Sequence, residues 1–185
     1  MKKIAILSSS IRDGERMSHR VALFLKKYFE EKQLAEIVFL DLKAYNFPLF
    51  TERLAFQKEP LPSLLDFTEK FNNIDALIIV TPVYNSSFPA SLKNVIDLYF
   101  NEWKHKIVAV STVTSGMVSA LITAKEVQAV MLKLGAIVSP TAFTVINTAN
   151  EYDADGNAVN SENTEKLLKP FVDDLNFLVE KILNK

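Results

Sequence analysis

Apolar runs of strand length alternate along this chain with segments of helical period, a pattern that predicts an α/β three-layer sandwich: a parallel sheet of five strands with helices on both faces. The strand-like runs are almost continuously apolar, as strands covered on both faces must be. The chain has 185 residues, 49% of them hydrophobic, which fits one compact domain over residues 1–185 with a substantial core.

The first strand is KIAILS (3–8). The N-terminal stretch MKKIAILSSSIRDGE carries two lysines and a four-residue apolar run, too short for a signal sequence or a membrane span, so it reads as strand. A helix near 18–32 leads to EIVFLDL (36–42), and one near 61–72 leads to DALIIVT (75–81). Pro89 suits the first turn of a helix near 89–101, which precedes KIVAVST (106–112). A helix near 118–134 precedes the fifth strand, AIVSPTAFTVI (136–146). NTANEYDADGNAVNSEN (147–163) is polar, contains Asp155-Gly156, and reads as a surface excursion or small hairpin. The last helix repeats Leu168, Phe171, Val172, Leu175, Leu178, Val179 and Ile182 at three-four spacing, so it should pack on the sheet. Pro170 predicts a kink there or a helix that begins there. Right-handed crossovers leave few topologies, of which strand order 2-1-3-4-5, the flavodoxin-like arrangement, is expected.

Composition removes several function classes. Lys and Arg total 21 against 22 Asp and Glu, a formal charge of −1, so neither nucleic acid nor an acidic membrane is an expected partner. Any bound anion must be met locally. The absence of cysteine excludes disulfides, thiolate catalysis and Cys-ligated metal, and a cytoplasmic location is the expectation. His19 and His105 are the only histidines, and neither a metal pair nor a Ser-His-Asp triad is expected from them. Asp153, Asp155, Asn157 and Glu162 hint at calcium but lack the EF-hand spacing, so a solvated turn is preferred and no metal is expected.

In a sheet of this kind, ligands bind beyond the carboxyl ends of the strands where the connections change direction. The loops at 8–18, 81–89 and 111–119 qualify by position. The first is rich in hydroxyls and holds Arg12, Gly14 and Arg16 just before a helix start. Its amides, Ser10, Ser18 and Arg12 could surround a phosphate, but taken alone the loop reads rather as an ordinary solvated helix cap. It matches neither G-x-G-x-x-G nor G-x-x-x-x-G-K-[ST], and with four glycines in the chain neither motif lies elsewhere. In the second loop, Tyr84 and the polar groups of Asn85, Ser86 and Ser87 could meet the edge of a planar heterocycle.

The second loop carries a specific pattern. Thr81, Pro82, Tyr84, Asn85, Ser87, Pro89, Leu92, Lys93, Asn94, Ile96 and Asp97 match T-P-x-Y-N-x-S-x-P-x-x-L-K-N-x-I-D, and here the sequence resembles the NADPH-dependent FMN reductases of flavodoxin-like fold, with their azoreductase-, chromate-reductase- and quinone-reductase-like members. Ser9-Ser10-Ile11-Arg12 with Ser18 is similar to that family's G-S-x-R loop, and Tyr45–Phe50 and Leu134-Gly135-Ala136 are similar to two further segments. The sequence departs from the pattern at Val83, where many relatives have Glu, at Ser86, often Gly, and at Ser119-Ala120 and Ile122 in place of Gly-Gly and Arg.

The resemblance implies FMN with its phosphate at Ser10, Arg12 and Ser18 and His19 nearby. It implies that Pro82, Val83, Tyr84, Asn85 and Ser87 border the ribityl chain and ring, and that Thr112, Ser115 and Gly116 close the other edge. The implied chemistry is hydride transfer from NADPH or NADH to flavin N5 and then to a small electron acceptor: a quinone, an azo compound, a metal ion or free flavin. No catalytic side chain is implied. A flavodoxin-like electron carrier and a non-enzymatic flavin-binding protein remain as alternatives. The aromatic stripe from Phe88 to Trp103 is read as core, with Trp103 at an exposed end supplying a contact in the homodimer, or homotetramer, that the resemblance implies.

Overall fold

The computed structural model describes residues 2–183. Its centre is three parallel strands, β1 (Lys3–Ser8), β3 (Ala76–Pro82) and β4 (Ile107–Thr114), flanked on one side by β2 (Glu36–Asp41) and on the other by β5 (Ile137–Val138) and β6 (Phe143–Ile146). The order β2-β1-β3-β4-β5 is the expected one, and β6 also pairs with β4. Crossover helices α1 (Met17–Glu31), α3 (Pro62–Asn72), α4 (Ala90–Leu98) and α5 (Met117–Lys133) connect the strands, and α7 (Ser161–Leu183) closes the described chain. Short helices α2 (Leu42–Tyr45) and α6 (Thr148–Glu151) follow β2 and β6.

Because strand side chains alternate, the two faces of the sheet make two cores. Ile4, Ile6 and Ile78 pack with Phe29, Phe171 and Leu175 of α1 and α7. Ala5, Leu7 and Ile79 pack with Phe67, Phe71 and Leu92 beneath α3 and α4. Each fully buried side chain of this size contributes about 1.5–3 kcal/mol, which orients the helices and so the loops between them. Ser8 stands opposite both Asp41 and Val80, and Thr81 stands opposite Thr112, so the loops after β1, β3 and β4 emerge at one edge.

Three local expectations change. The fifth strand is not continuous: Pro140 has no N–H for the ladder, and the break is bridged by the Gln128 amide, which donates to the carbonyls of Ser139 (2.9 Å) and Pro140 (3.4 Å). The helix expected to reach residue 101 ends at Leu98, where Tyr99 turns extended, so Trp103 folds back into the core. Trp103 is fully buried, donates from Nε1 to the Ile96 carbonyl at 3.2 Å and meets Phe71 edge-on, so it supplies no exposed contact. Helix α7 runs through Pro170 without starting there; the proline is exposed, so water can take the carbonyl it leaves without a donor.

The polar stretch after β6 forms α6 and then a small antiparallel bridge, Tyr152 with Ala158, lying on α1. Gly156, at φ +82°, is what permits this approach, since a Cβ there would sit 2.6 Å from the Phe24 nitrogen. The Asp153 carboxylate accepts from the Asn157 side chain and from the amides of Asn157 and Asp155, and these bonds hold its pKa below the usual carboxylate range. That carboxylate serves its own turn. Among the described residues no helix is long and apolar enough to cross a membrane.

Candidate functional site

A cleft of about 360 Å³ opens at the carboxyl edge of the sheet, within the usual size of small-molecule sites (roughly 300–1,000 Å³). Its walls are Arg12 with Glu15 to Ser18, Pro82 to Tyr84, Val113 to Ser115, and Asn147 to Asn150. The first turn of α1 faces it without a side-chain cap or an acidic residue, which leaves the positive end of that helix available to an anion. Ser18 and Thr148, both lining the cleft, are 1% and 4% exposed, and neither hydroxyl has a partner among the described residues. A buried hydroxyl without a bond costs about 1–3 kcal/mol, a cost that a ligand oxygen would relieve. The Arg12 side chain is exposed and takes part in no hydrogen bond or ion pair among the described residues; only its carbonyl is used, by Lys43.

The β1–α1 loop is held from several elements at once. Ser9 donates its amide to Val80 (3.1 Å) and accepts from the Ser91 hydroxyl (2.5 Å). The Ser10 hydroxyl meets the Tyr84 phenol at 3.3 Å, and its carbonyl accepts from Arg16 at 3.0 Å. Arg16 also grips Asp41 through both terminal nitrogens, at 2.6 and 2.9 Å. Behind them, His19 pairs through Nδ1 with the Ser8 hydroxyl at 3.0 Å. Burial and then the Arg16 charge push the His19 pKa below its ordinary 6.5, against the opposing pull of Asp41, so the ring is neutral at pH 7.

The chain matches the NADPH-dependent FMN reductase family over residues 2–151. It belongs to that family. The flavodoxin-like fold agrees with the observed strand order. The chain is 27% identical over 121 residues to the NAD(P)H-dependent FMN reductase LOT6 of Saccharomyces cerevisiae, covering 56% of this chain and 61% of that one. It is 27% identical over 177 residues to a quinone reductase of Pseudomonas putida, covering 92% and 90%. The solved structure of FerB, a flavoenzyme NAD(P)H:(acceptor) oxidoreductase from Paracoccus denitrificans, superimposes with a TM-score of 0.79 at 26% identity over 98% of both chains. The chain spans less than two thirds of the length of several curated relatives that it matches.

The motif that this FMN reductase family member carries after β3 divides into cleft and scaffold. Pro82, Val83 and Tyr84 line the cleft. Tyr84 and Ser87 exchange backbone hydrogen bonds (2.8 and 3.1 Å) across Asn85 and Ser86, both left-handed at φ 52° and 62°, a two-residue hairpin turn. That turn carries the Asn85 side chain to its exposed tip and the Ser87 hydroxyl to Glu126, at 2.8 Å. Lys93 pairs with Asp97 at 2.7 Å, one helical turn away. Asn94 clamps the segment after α2, donating to the Pro48 carbonyl (2.9 Å) and accepting from the Phe50 amide (2.6 Å).

Of the residues singled out from the sequence, Arg12, Ser18, Pro82, Val83, Tyr84 and Ser115 come together around the cleft. Ser10 lies next to it through the Tyr84 contact, and His19 is set behind it. Asn85, Ser87, Thr112 and Gly116 are not on its walls: the fully buried Thr112 donates to the Ala120 carbonyl at 3.1 Å, and Gly116 caps α5. The wall formed by Asn147 to Asn150 was not anticipated. Its one sequence signal is a polar Asn-Thr directly after the last strand, at the edge where the other loops emerge.

Proposed function

We propose that residues 1–185 form one flavin-binding domain that works as an NAD(P)H-dependent FMN oxidoreductase, reducing a small acceptor such as a quinone, an azo compound, a metal ion or free flavin. The observation that carries the reading is one cleft lined by an uncapped helix start, by Arg12, whose side chain has no partner among the described residues, and by Ser18 and Thr148, two buried residues whose hydroxyls lack a partner there. Such a donor set suits the phosphate of a mononucleotide. Arg12 and Ser18 hold that phosphate, joined by Ser10, while neutral His19 supports the helix start without adding charge. Pro82, Val83 and Tyr84 border the ribityl chain and ring, Ser115 meets the opposite edge, and Asn85, Ser87, Thr112 and Gly116 contribute by shaping the loops.

Bound FMN supplies the hydride chemistry, accepting from NADPH or NADH and delivering to the acceptor. The chain's own part is to bind, orient and exclude water, and no side chain in the cleft is asked to move a proton. The names of the Pseudomonas putida and Paracoccus denitrificans relatives support a quinone-like or other small acceptor. A homodimer completes the proposal. Helix α5 leaves Val118, Leu121, Ile122 and Leu132 exposed, an apolar surface suited to a second copy of the chain.

Titration of the purified protein with FMN, followed by anaerobic addition of each nicotinamide and then a quinone, tests the reading. Fluorescence quenching, bleaching of the flavin and its reoxidation by quinone are expected. Arg12→Ala should weaken FMN by about tenfold or more and flatten its salt dependence. Absence of FMN binding, or a loaded protein inert to both nicotinamides, would overturn it.

A further inference from the structure

We infer that Arg16, although it borders the cleft, is not a phosphate ligand but a positioning residue: together with Asp41 it braces the loop that forms the anion site. The inference rests on the FMN reading above. Two arginines, Arg12 and Arg16, reach the cleft, and charge alone would assign both to the phosphate. Their surroundings separate them.

The Arg16 side chain is 14% exposed and the Asp41 side chain 17%. Arg16 Nη1 donates to Asp41 Oδ1 and to the Ser10 carbonyl, and Nη2 donates to Asp41 Oδ2. Both ends of the guanidinium are therefore engaged, and its charge is neutralised by a carboxylate across a planar, two-bond interface. Asp41 is itself anchored, since Oδ1 also accepts from the Lys43 amide at the start of α2. The brace thus runs from the end of β2, through Arg16 just before α1, to the Ser10 peptide in the loop after β1.

Ser10 is where these restraints converge. Its carbonyl is held by Arg16 and its hydroxyl by Tyr84, while the preceding peptide is fixed by Val80 and Ser91. A loop fixed before the ligand arrives loses less conformational freedom on binding, so the brace acts on affinity without touching the phosphate.

The two roles predict opposite signs. If Arg16 were a direct ligand, Asp41→Asn would release its charge and tighten FMN, and Arg16→Lys would retain most of the affinity as a point charge. For a brace, both substitutions break the two-bond fork: each should weaken FMN by about tenfold, the double variant should be no worse than either single one, and the salt dependence of the charge-conserving Arg16→Lys variant should stay as in the unsubstituted protein. Riboflavin, which has no phosphate, should change much less, and the thermal midpoint of the apoprotein should fall only slightly. Hydrogen exchange of residues 8–13 in the apoprotein is the second readout, expected to accelerate in both variants. Tighter FMN binding by Asp41→Asn, an unaffected Arg16→Lys, or equal losses for FMN and riboflavin would overturn the brace. If the unsubstituted protein binds no FMN, the cofactor reading fails, and exchange in the loop then decides the brace alone: unchanged exchange in both variants would remove it as well.

Discussion

At the scale of single residues, the cleft is defined by groups whose bonding is incomplete. Ser18 gives the clearest test because its hydroxyl is buried and unpartnered in the protein as it stands. Ser18→Ala should leave the apoprotein as stable as before or more stable, by up to about 1 kcal/mol, while FMN binding weakens about tenfold. Thermal melts and fluorescence titration of the same preparation check both signs, and a destabilised apoprotein with normal FMN binding would contradict the assignment. His19 tests the environment behind the site. Its folded pKa lies below 6.5 through burial and the Arg16 charge, so as pH falls the unfolded chain takes up the proton first. The stability associated with the neutral ring is therefore complete above the unfolded value and declines as pH falls below it. Denaturant midpoints at about pH 7.5 and about pH 5.5 should show a smaller loss for His19→Gln than for the unsubstituted protein. That Arg12 and Ser18 lie at one cleft could be expected from the sequence, because a cation and a hydroxyl at a helix start are a local pattern. Ser87 and Thr112 were not, because the directions of their hydroxyls depend on where Glu126 and the Ala120 carbonyl lie.

At the scale of elements, turn chemistry explains both what holds the site and where strain remains. The turn from Tyr84 to Ser87 places two non-glycine residues in the left-handed region, and Ser86 lacks the tolerance that Asn85 has for it. Ser86→Gly should relieve that cost, offset in part by greater freedom of the unfolded chain, for a net gain of about 0.5 kcal/mol. Chemical denaturation measures it, and a loss of stability would mean that Ser86 makes a compensating contact. The strands and main helices were readable because period and apolar length are properties of contiguous residues. The break at Pro140 and the early end of α4 were less so. Gln128 must reach Ser139, and Trp103 must find Phe71 and the Ile96 carbonyl, before either arrangement is favoured.

At the scale of the whole molecule, α5 exposes four large apolar side chains on an outer side that it shares with Lys125 and Glu126. Ala124, Val127 and Met131 face the core, while Val118, Leu121, Ile122 and Leu132 face outward. Exposed apolar side chains gathered on one face suit a contact between protein surfaces. Ile122→Glu should weaken the proposed dimer at least about tenfold without loss of fold, because the change is made on an exposed face. Sedimentation over a concentration series, with circular dichroism as the control, checks this; an unsubstituted protein that stays monomeric throughout would remove the dimer. The sequence by itself determined the layered α/β architecture and the family motif and narrowed the strand order to a few, of which the expected one is observed, because these follow from periodicity, chain connectivity and residue identity. Only the tertiary structure decided that Asn147 to Asn150 form a wall of the cleft, that Thr112 belongs to the core and that Arg16 is tied to Asp41. The physical reason is that these depend on distances between residues far apart in the chain, which are set when both faces of the sheet are packed.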